Sequence, residues 1–288
     1  MREIRCVRNS DLPLIAESSG SWLGLSGLLP EARLQLFELG LFSKPSFEFR
    51  SCFVAVSDSR IEALVVTTES ESHTCITYAN SSSECLDALE ATLIQSLTQR
   101  SSINALNLGV TDTASGLLTH VPGIIERSGL RASFFQLRDL LLAHGYTQHN
   151  ATPLFSFNSE LQRPAFSRDQ MELRRTHAIA TTHDIVLPEW SLNLDLSHLN
   201  TLELQLQNRE TGQPDATVVL TAIPDGQPSQ STVTMHSCQG TEPHLSALVS
   251  DLCRGHQGTL FAILPECSPV LQNVGFEIAD TFTTWQLD

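Results

Sequence analysis

The pattern of apolar and polar residues changes in the same way at two places in the chain, near residue 145 and near residue 275. An apolar helical segment ends at Gly145, an aromatic residue follows, and alternating apolar and polar positions continue to Asn158. The same order of helix, glycine, aromatic residue and alternating segment surrounds Gly275. This order is typical of a helix that ends at a glycine and leads into a strand. Because the two segments align without a gap, one structural unit is predicted to occur twice.

Upstream of Gly145 the pattern predicts a mixed unit of helices and strands. A short strand and two helical segments come first, and a hairpin and a third strand follow them. A helix, another strand, the helix that ends at Gly145 and a last strand complete the copy. The predicted strands lie at 4–7, 52–56, 61–67, 74–78, 104–110 and 146–158, and the predicted helices at 12–17, 31–41, 84–98 and 134–144.

The order of hairpin, strand, helix, strand, helix and strand returns after a polar segment at 161–168 that contains Pro164. We therefore expect an N-terminal domain at 1–158 and a shortened C-terminal copy at 200–288. Between them, 159–199 is expected to be a linker and a poorly defined start of the second copy. The predicted strands of this copy lie at 202–208, 216–222, 231–235, 259–264 and 276–287, and the helices at 243–253 and 269–274.

Composition narrows the class of protein. The chain has 288 residues, of which 41% are apolar and 17% charged, as in ordinary globular proteins. A net charge of −15 argues against a nucleic-acid partner, since binding phosphates requires a basic surface. No apolar run is long enough to cross a membrane, and the N-terminus lacks the apolar core of a signal peptide. These features predict a cytoplasmic protein that makes no membrane contact.

Cysteine and histidine usage argues against structural bridges and metal sites. The seven cysteines are odd in number and include no C-x-x-C pair, which favours buried thiols in a reducing compartment over a disulfide framework or structural zinc. The ten histidines form no H-E-x-x-H motif and no paired spacing with carboxylates. The sequence therefore predicts no metal site.

The order of elements resembles the GNAT (N-acetyltransferase) superfamily, in tandem. The resemblance also rests on Arg8 and Asp11 after the first strand, on the hairpin at 53–67 and on the glycine–aromatic pairs described above. A Pro122-Gly123 segment after the fifth strand is similar to an insertion in some members. The resemblance implies an α/β (α+β) fold of two GNAT-like units. Each would have a mixed, mostly antiparallel sheet flanked by helices, and together they would form an internal pseudo-dimer.

The resemblance further implies an activity. An acyl-CoA, acetyl-CoA in the simplest case, would lie where two central strands part, and an amine of a small molecule or peptide would attack its thioester. A backbone N–H would hold the oxyanion, and a carboxylate, a histidine or water would remove the amine proton. The parting strands would be those at 75–78 and 104–110, or those at 232–235 and 259–264.

Two segments are candidates for binding the pyrophosphate of the cofactor. In the first copy the segment is Asn80, Ser81, Ser82 and Ser83, and in the second it is Gln239, Gly240 and Thr241. Either segment could instead be a helix cap. The glycine-rich loop of the family is not kept, because other residues stand at its positions: Cys85, Leu86, Ala88 and Glu90 in the first copy and Glu242 and His244 in the second.

Catalytic candidates are few. His236 directly follows a predicted central strand, where a base could sit, although a surface residue at the end of a strand is the more common case there. His73 and Glu71 lie in a turn between two strands of the first copy and could reach its central strands. The position of the family's general-acid tyrosine falls on Leu141 and Leu271. Two hypotheses stay open: an N-acyltransferase, and a non-catalytic member that senses a small molecule or binds a protein.

Overall fold

The computed structural model of the chain describes residues 2–22, 29–38, 42, 48–69, 74–82, 84–98, 106–107, 130–132, 135–143, 145–165, 168–183, 185, 200–224 and 231–287. By internal packing they belong to two units. Unit 1 includes Met1–Ala151 and Phe282–Asp288, and unit 2 includes Thr152–Leu192 and Leu199–Thr281. Within the described residues, each helix is too short or too polar to cross a lipid bilayer.

Unit 1 is built on a sheet whose strands follow one another in chain order, β1 to β5. Neighbouring strands are antiparallel, except that β4 and β5 are parallel. The strands of this unit are β1 (Glu3–Cys6), β2 (Cys52–Ser57), β3 (Arg60–Glu69), β4 (Thr74–Ser81), β5 (Leu106–Asn107) and β6 (Leu130–Arg131), and its helices are α1 (Leu12–Ser18), α2 (Pro30–Phe37), α3 (Leu86–Thr98) and α4 (Phe135–Ala143).

Alternation along β2, β3 and β4 gives this sheet two apolar faces, because successive side chains of a strand point to opposite sides. One face carries Val65 and Ala79, which pack in one cluster with Leu89 of α3. The other contains Val54, Leu64 and the aromatic residues Trp22, Phe37 and Tyr78. The sheet therefore separates two cores, one of which is covered by α1 and α2.

Unit 2 contains a sheet of the order β8, β9, β10, β11, β12, β7. Its neighbours are antiparallel except for the parallel pair β11 and β12. The strands are β7 (Tyr146–Asn158), β8 (His177–Thr182), β9 (Asn200–Asn208), β10 (Pro214–Pro224), β11 (Ser231–Gly240), β12 (Thr259–Ala262) and β13 (Glu277–Leu287), and the helices are α5 (Arg168–Thr176), α6 (Glu242–Gly255) and α7 (Ser268–Val274).

Helices α6 and α7 supply much of the core of unit 2. Leu245, Leu248 and Leu271 are at most 5% exposed and join buried residues of β10, β11 and β12 in a single cluster. Phe157 of β7 and Phe276 stack within it, with ring centroids 5.3 Å apart. The apolar face of α6 thus covers the central strands of the sheet.

The fold class predicted from the sequence is confirmed, since both sheets are mixed, mostly antiparallel and flanked by helices. Helices α4 and α7 end as predicted at Gly145 and Gly275, whose φ angles of 83° and 110° favour glycine. Three elements were not predicted: α5, β8 and the short β6. Along the chain the change of unit falls inside β7, between Ala151 and Thr152, whereas the sequence-based division has it at 158/159.

Asp11 joins β1 to α1. Its carboxylate accepts two hydrogen bonds from the Arg5 guanidinium, of 2.6 and 2.9 Å, and a third of 2.8 Å from the Arg8 backbone N–H. The Asp11 residue is 2% exposed, and Arg5 holds the pKa of its carboxyl below the ordinary value. Asp11, one of the residues on which the resemblance rests, is therefore part of a buried ion pair.

We expect Asp11→Asn to lower the free energy of unfolding by about 3 kcal/mol, since removing one partner leaves the other charge without compensation. Urea titration followed by circular dichroism measures the change. The matched control is Glu3→Gln, because Glu3 lies 3.9 Å from the same arginine and its side chain is 65% exposed. Glu3→Gln should lower the free energy of unfolding by less than about 1 kcal/mol. Equal losses in the two variants would mean that the buried pair does not anchor β1.

Candidate functional site

The parallel strands β11 and β12 part after a short contact. They pair at three positions only, Val233 with Leu260, Thr234 with Phe261 and Met235 with Ala262. Strand β12 ends at Ala262, whereas β11 continues to Gly240 and stays paired with β10. The pairing of these two strands, predicted at 232–235 and 259–264, therefore ends at Met235, while β11 continues beyond it.

A β-bulge lies on β11 where the two strands part. Val219 pairs with Ser237 and Leu220 pairs with Met235, so that His236 is an extra residue on β11. A bulge changes which face the following side chains point to. Met235 and Cys238, three positions apart, consequently both pack with the core of unit 2.

Cys238 forms a disulfide with Cys267, which lies in the 3-10 turn between β12 and α7. The bridge links β11, beyond its last pair with β12, to the chain that leaves β12. The prediction that the cysteines are thiols is wrong for this pair. An odd number of cysteines and the lack of a C-x-x-C pair do not exclude a disulfide between two cysteines that the fold brings together. Cys6, Cys52, Cys85 and Cys253 are free.

Without reductant, a thiol assay of the denatured chain should count five thiols, because two of the seven cysteines are bridged. Reduction should lower the free energy of unfolding of unit 2 by about 3–4 kcal/mol, as expected for a bridge across this loop length. The double variant Cys238→Ala/Cys267→Ala should unfold identically with and without reductant. The control Cys85→Ser should keep the effect of reductant. Seven thiols in the unreduced wild type would contradict the bridge.

Helix α6 begins directly after β11 and lacks a side-chain cap. Its N-cap residue, Thr241, makes no capping hydrogen bond, and the Thr241 hydroxyl lies 2.7 Å from Nδ1 of His244. Gly240 has a φ of 134°, and a Cβ there would lie 2.7 Å from the backbone oxygen of Asp215. A helix start without a side-chain cap is able to bind an anion through its N–H groups and dipole.

The corresponding segment of unit 1 is closed by its own side chains. Asn80 Oδ1 accepts a hydrogen bond of 2.8 Å from the Ser81 backbone N–H, and both residues are 2% exposed. In the first turn of α3, Arg2 and the N–H groups of Ala88 and Asp87 lower the pKa of the Asp87 carboxyl. This carboxylate occupies the helix start that a pyrophosphate would need. Ser82 is half-buried, and Ser83 lies outside the described residues.

His236 is a buried neutral histidine. Its residue is 3% exposed, its Nε2 lies 2.6 Å from Thr221 Oγ1, and burial lowers its pKa to about 4. Such an imidazole is uncharged at pH 7 but accepts a proton poorly, because the efficiency of a general base depends on a pKa near the working pH. The other two catalytic candidates, His73 and Glu71, lie outside the described residues.

No protein-family model and no curated protein matches the chain. Several solved structures are similar to the chain. A tandem GNAT protein from the clavulanic acid biosynthesis pathway superposes with a TM-score of 0.61 at 11% identity, over 99% of this chain and 98% of that chain. A GCN5-related N-acetyltransferase from Sphaerobacter thermophilus gives a TM-score of 0.53 at 10% identity, over 99% and 95%.

A third structure contains a GCN5-related glucosamine N-acetyltransferase region of a fungal multi-domain GH3 β-N-acetylglucosaminidase, with a TM-score of 0.59 at 13% identity. The alignment covers 99% of this chain but spans only 38% of that protein. The chain has the GNAT fold. At these identities the likeness concerns the fold alone. In this GNAT-fold chain, β11, β12 and α6 of unit 2 are the central strand pair and the helix after it.

Burial of His236 should make this GNAT-fold protein sensitive to acid. An unfolded histidine has a pKa of about 6.5, so the unfolded chain binds a proton more readily than the folded chain between about pH 6.5 and pH 4. The free energy of unfolding should therefore fall by about 2–3 kcal/mol from pH 7 to pH 4.5 through this group. His236→Gln should lose less stability over that interval, measured by urea titration at both pH values. An unchanged pH dependence would show that His236 is not buried as a neutral imidazole.

Proposed function

We propose that the protein is an acyl-CoA-dependent N-acyltransferase that transfers an acetyl group from acetyl-CoA to an amine of a small molecule or peptide. The observation that carries this proposal is the parting of β11 and β12 immediately before the start of α6. A gap between central strands and a helix start without a side-chain cap are the two features needed to hold a thioester and a pyrophosphate.

In the proposed reaction, the amine nitrogen attacks the thioester carbonyl carbon and the carbon–sulfur bond then breaks. The CoA thiolate leaves and takes up the proton that the amine loses. Backbone N–H groups that β11 directs into the gap beyond Met235 would stabilise the oxyanion. The pyrophosphate would lie at Gln239, Gly240 and Thr241, at the start of α6. His236 is not assigned as the base, because it is buried against Thr221 and its pKa is about 4.

Unit 2 is preferred to unit 1 as the binding unit because of the two helix starts. Asp87 carries a negative charge in the first turn of α3, where it would repel a pyrophosphate. In α6 the acidic residue of the first turn, Glu242, lies 3.4 Å from Nδ2 of Asn273 in α7. The carboxylate of Glu242 is thus directed towards a neighbouring helix.

One observation favours the alternative, a non-catalytic protein that keeps the fold as a sensor or interaction module. The Cys238–Cys267 bridge crosses from β11 to the chain beyond β12, on the side to which the gap opens. A thioester that enters between the strands at this level would meet the bridge. Binding should therefore be measured in the oxidised and in the reduced protein.

The test is isothermal titration with acetyl-CoA in both redox states. The proposal expects saturable binding of one acetyl-CoA per chain in at least one state. Gln239→Glu should weaken binding by about tenfold or more, since it adds a negative charge beside the pyrophosphate. Gln239 is preferable to Gly240 for this purpose, because any side chain at 240 would collide with the backbone of Asp215.

The matched control is Gln272→Glu, the same charge change at an exposed position of α7, which should leave the affinity unchanged. Ser82→Glu tests unit 1 in the same way. Loss of binding in Ser82→Glu but not in Gln239→Glu would move the site to unit 1. An absence of binding in both redox states, up to millimolar acetyl-CoA, would leave the non-catalytic alternative.

A further inference from the structure

Three side chains from distant parts of the sequence meet at one end of the sheet of unit 2. They are His177 at the start of β8, Asp215 in β10 and His244 in the first turn of α6. One potential ligand atom from each lies within 4.8 Å of the other two. The imidazole centroids are 5.2 Å apart, and Nε2 of His177 is 2.8 Å from Oδ2 of Asp215.

The hydrogen bonds of His177 are compatible with a tautomer that leaves Nε2 unprotonated. The Thr176 hydroxyl lies 3.2 Å from the Leu173 carbonyl oxygen, to which it donates. Nδ1 of His177 is 2.8 Å from that hydroxyl oxygen and 3.2 Å from the same carbonyl oxygen. When the hydroxyl donates to the carbonyl, both neighbours of Nδ1 accept, Nδ1 carries the proton, and Nε2 of the neutral ring presents a lone pair to Asp215.

An ionised carboxylate has no hydrogen to donate, so either a proton on Nε2 of His177 or a metal ion has to lie between Asp215 and this ring. A proton on His177 would satisfy these two groups. It would not account for His244 at the same point. Two imidazoles and a carboxylate that converge are instead a ligand set suited to a divalent first-row transition ion.

The partners of the two imidazoles match this interpretation. Histidines that bind metals usually donate the hydrogen of the second ring nitrogen to an oxygen, which orients the ring. Nδ1 of His177 has the Leu173 carbonyl as such a partner, and Nδ1 of His244 lies 2.7 Å from the Thr241 hydroxyl. With these partners at Nδ1, Nε2 is the nitrogen of each ring that would bind an ion.

Contacts between neighbouring elements hold the three residues in place. Arg254 in α6 bonds to Gln170 in α5 over 2.9 Å, and Arg174 pairs with Asp251. These contacts join α5, which ends next to His177, to the helix that carries His244. Around Asp215, the close approach of Gly240 to its backbone oxygen fixes the third position.

We propose that His177, Asp215 and His244 bind one divalent transition-metal ion, with Zn²⁺ as the expected ligand. Ligands about 2.0–2.2 Å from a tetrahedral Zn²⁺ lie roughly 3.3–3.6 Å apart, so that side-chain rotations suffice to close the cluster. Three protein ligands leave one coordination position for a solvent molecule or a ligand group. The site does not depend on the proposed acyl transfer.

The test uses metal-free full-length protein, titrated with Co²⁺ and followed by visible absorption, and with Zn²⁺ followed by calorimetry. About one ion per chain should bind, and Co²⁺ should give d–d bands without the ultraviolet charge-transfer band of thiolate ligation. Asp215→Asn and His244→Gln should each weaken binding by about 100-fold or more, since even loss of a ligand's hydrogen-bond partner costs 10–100-fold.

His183→Gln is the matched control, because His183 is an exposed histidine just after β8; it should bind like the wild type. Zn²⁺ should raise the melting temperature of the wild type and of His183→Gln but not that of Asp215→Asn, which separates loss of ligation from loss of folding. Unchanged affinity in Asp215→Asn and His244→Gln would overturn the site. So would a thiolate charge-transfer band that persists in those variants, and so would a wild type that binds no ion.

Discussion

Strand β11 is paired along nearly its whole length on one side and over three residues on the other. The pairing with β10 runs from Ser231 to Gly240, interrupted only at His236, whereas the pairing with β12 ends at Met235. A strand paired on one side only leaves the backbone groups of its other edge without strand partners, so that they need other partners. The bulge, the disulfide and the start of α6 all lie along this half-paired stretch.

The half-paired stretch of β11 carries several unusual features of unit 2. His236, left over by the bulge, enters the buried layer next to Thr221, where burial suppresses its charge. Cys238, turned by the same bulge, reaches Cys267. Gly240 then lets the chain pass close to Asp215 before α6 begins. A neutral histidine, a covalent bridge and a helix start therefore follow one irregularity of β11 within the seven residues 236–242.

The starts of helices α3 and α6 differ in the side chains that contact them. In unit 1, Asp87 supplies negative charge to the first turn of α3 and is paired with Arg2 over 2.8 Å. In unit 2, Thr241 does not cap α6 and instead contacts His244, which turns towards His177 and Asp215. A cap stabilises a helix by satisfying its own N–H groups, whereas an uncapped start keeps them for a ligand. The starts of α3 and α6 therefore differ in charge and in side-chain contacts.

The sequence by itself determined the repeated order of elements, because a glycine-ended helix and alternating strand residues are local signals that neighbouring residues enforce. It identified the hairpins of both units and the helix ends at Gly145 and Gly275, and it left two strand pairs open as the place of the cofactor. The sequence did not predict helix α5, because this helix is strongly polar. It did not predict strand β8 either, because β8 is a short strand at the end of the sheet order and has few buried positions that would give a pattern. Only the tertiary structure decided that Cys238 meets Cys267 and that His177, Asp215 and His244 converge. Those contacts join residues far apart in sequence, and they depend on strand register and on one bulge, neither of which leaves a local pattern in the chain.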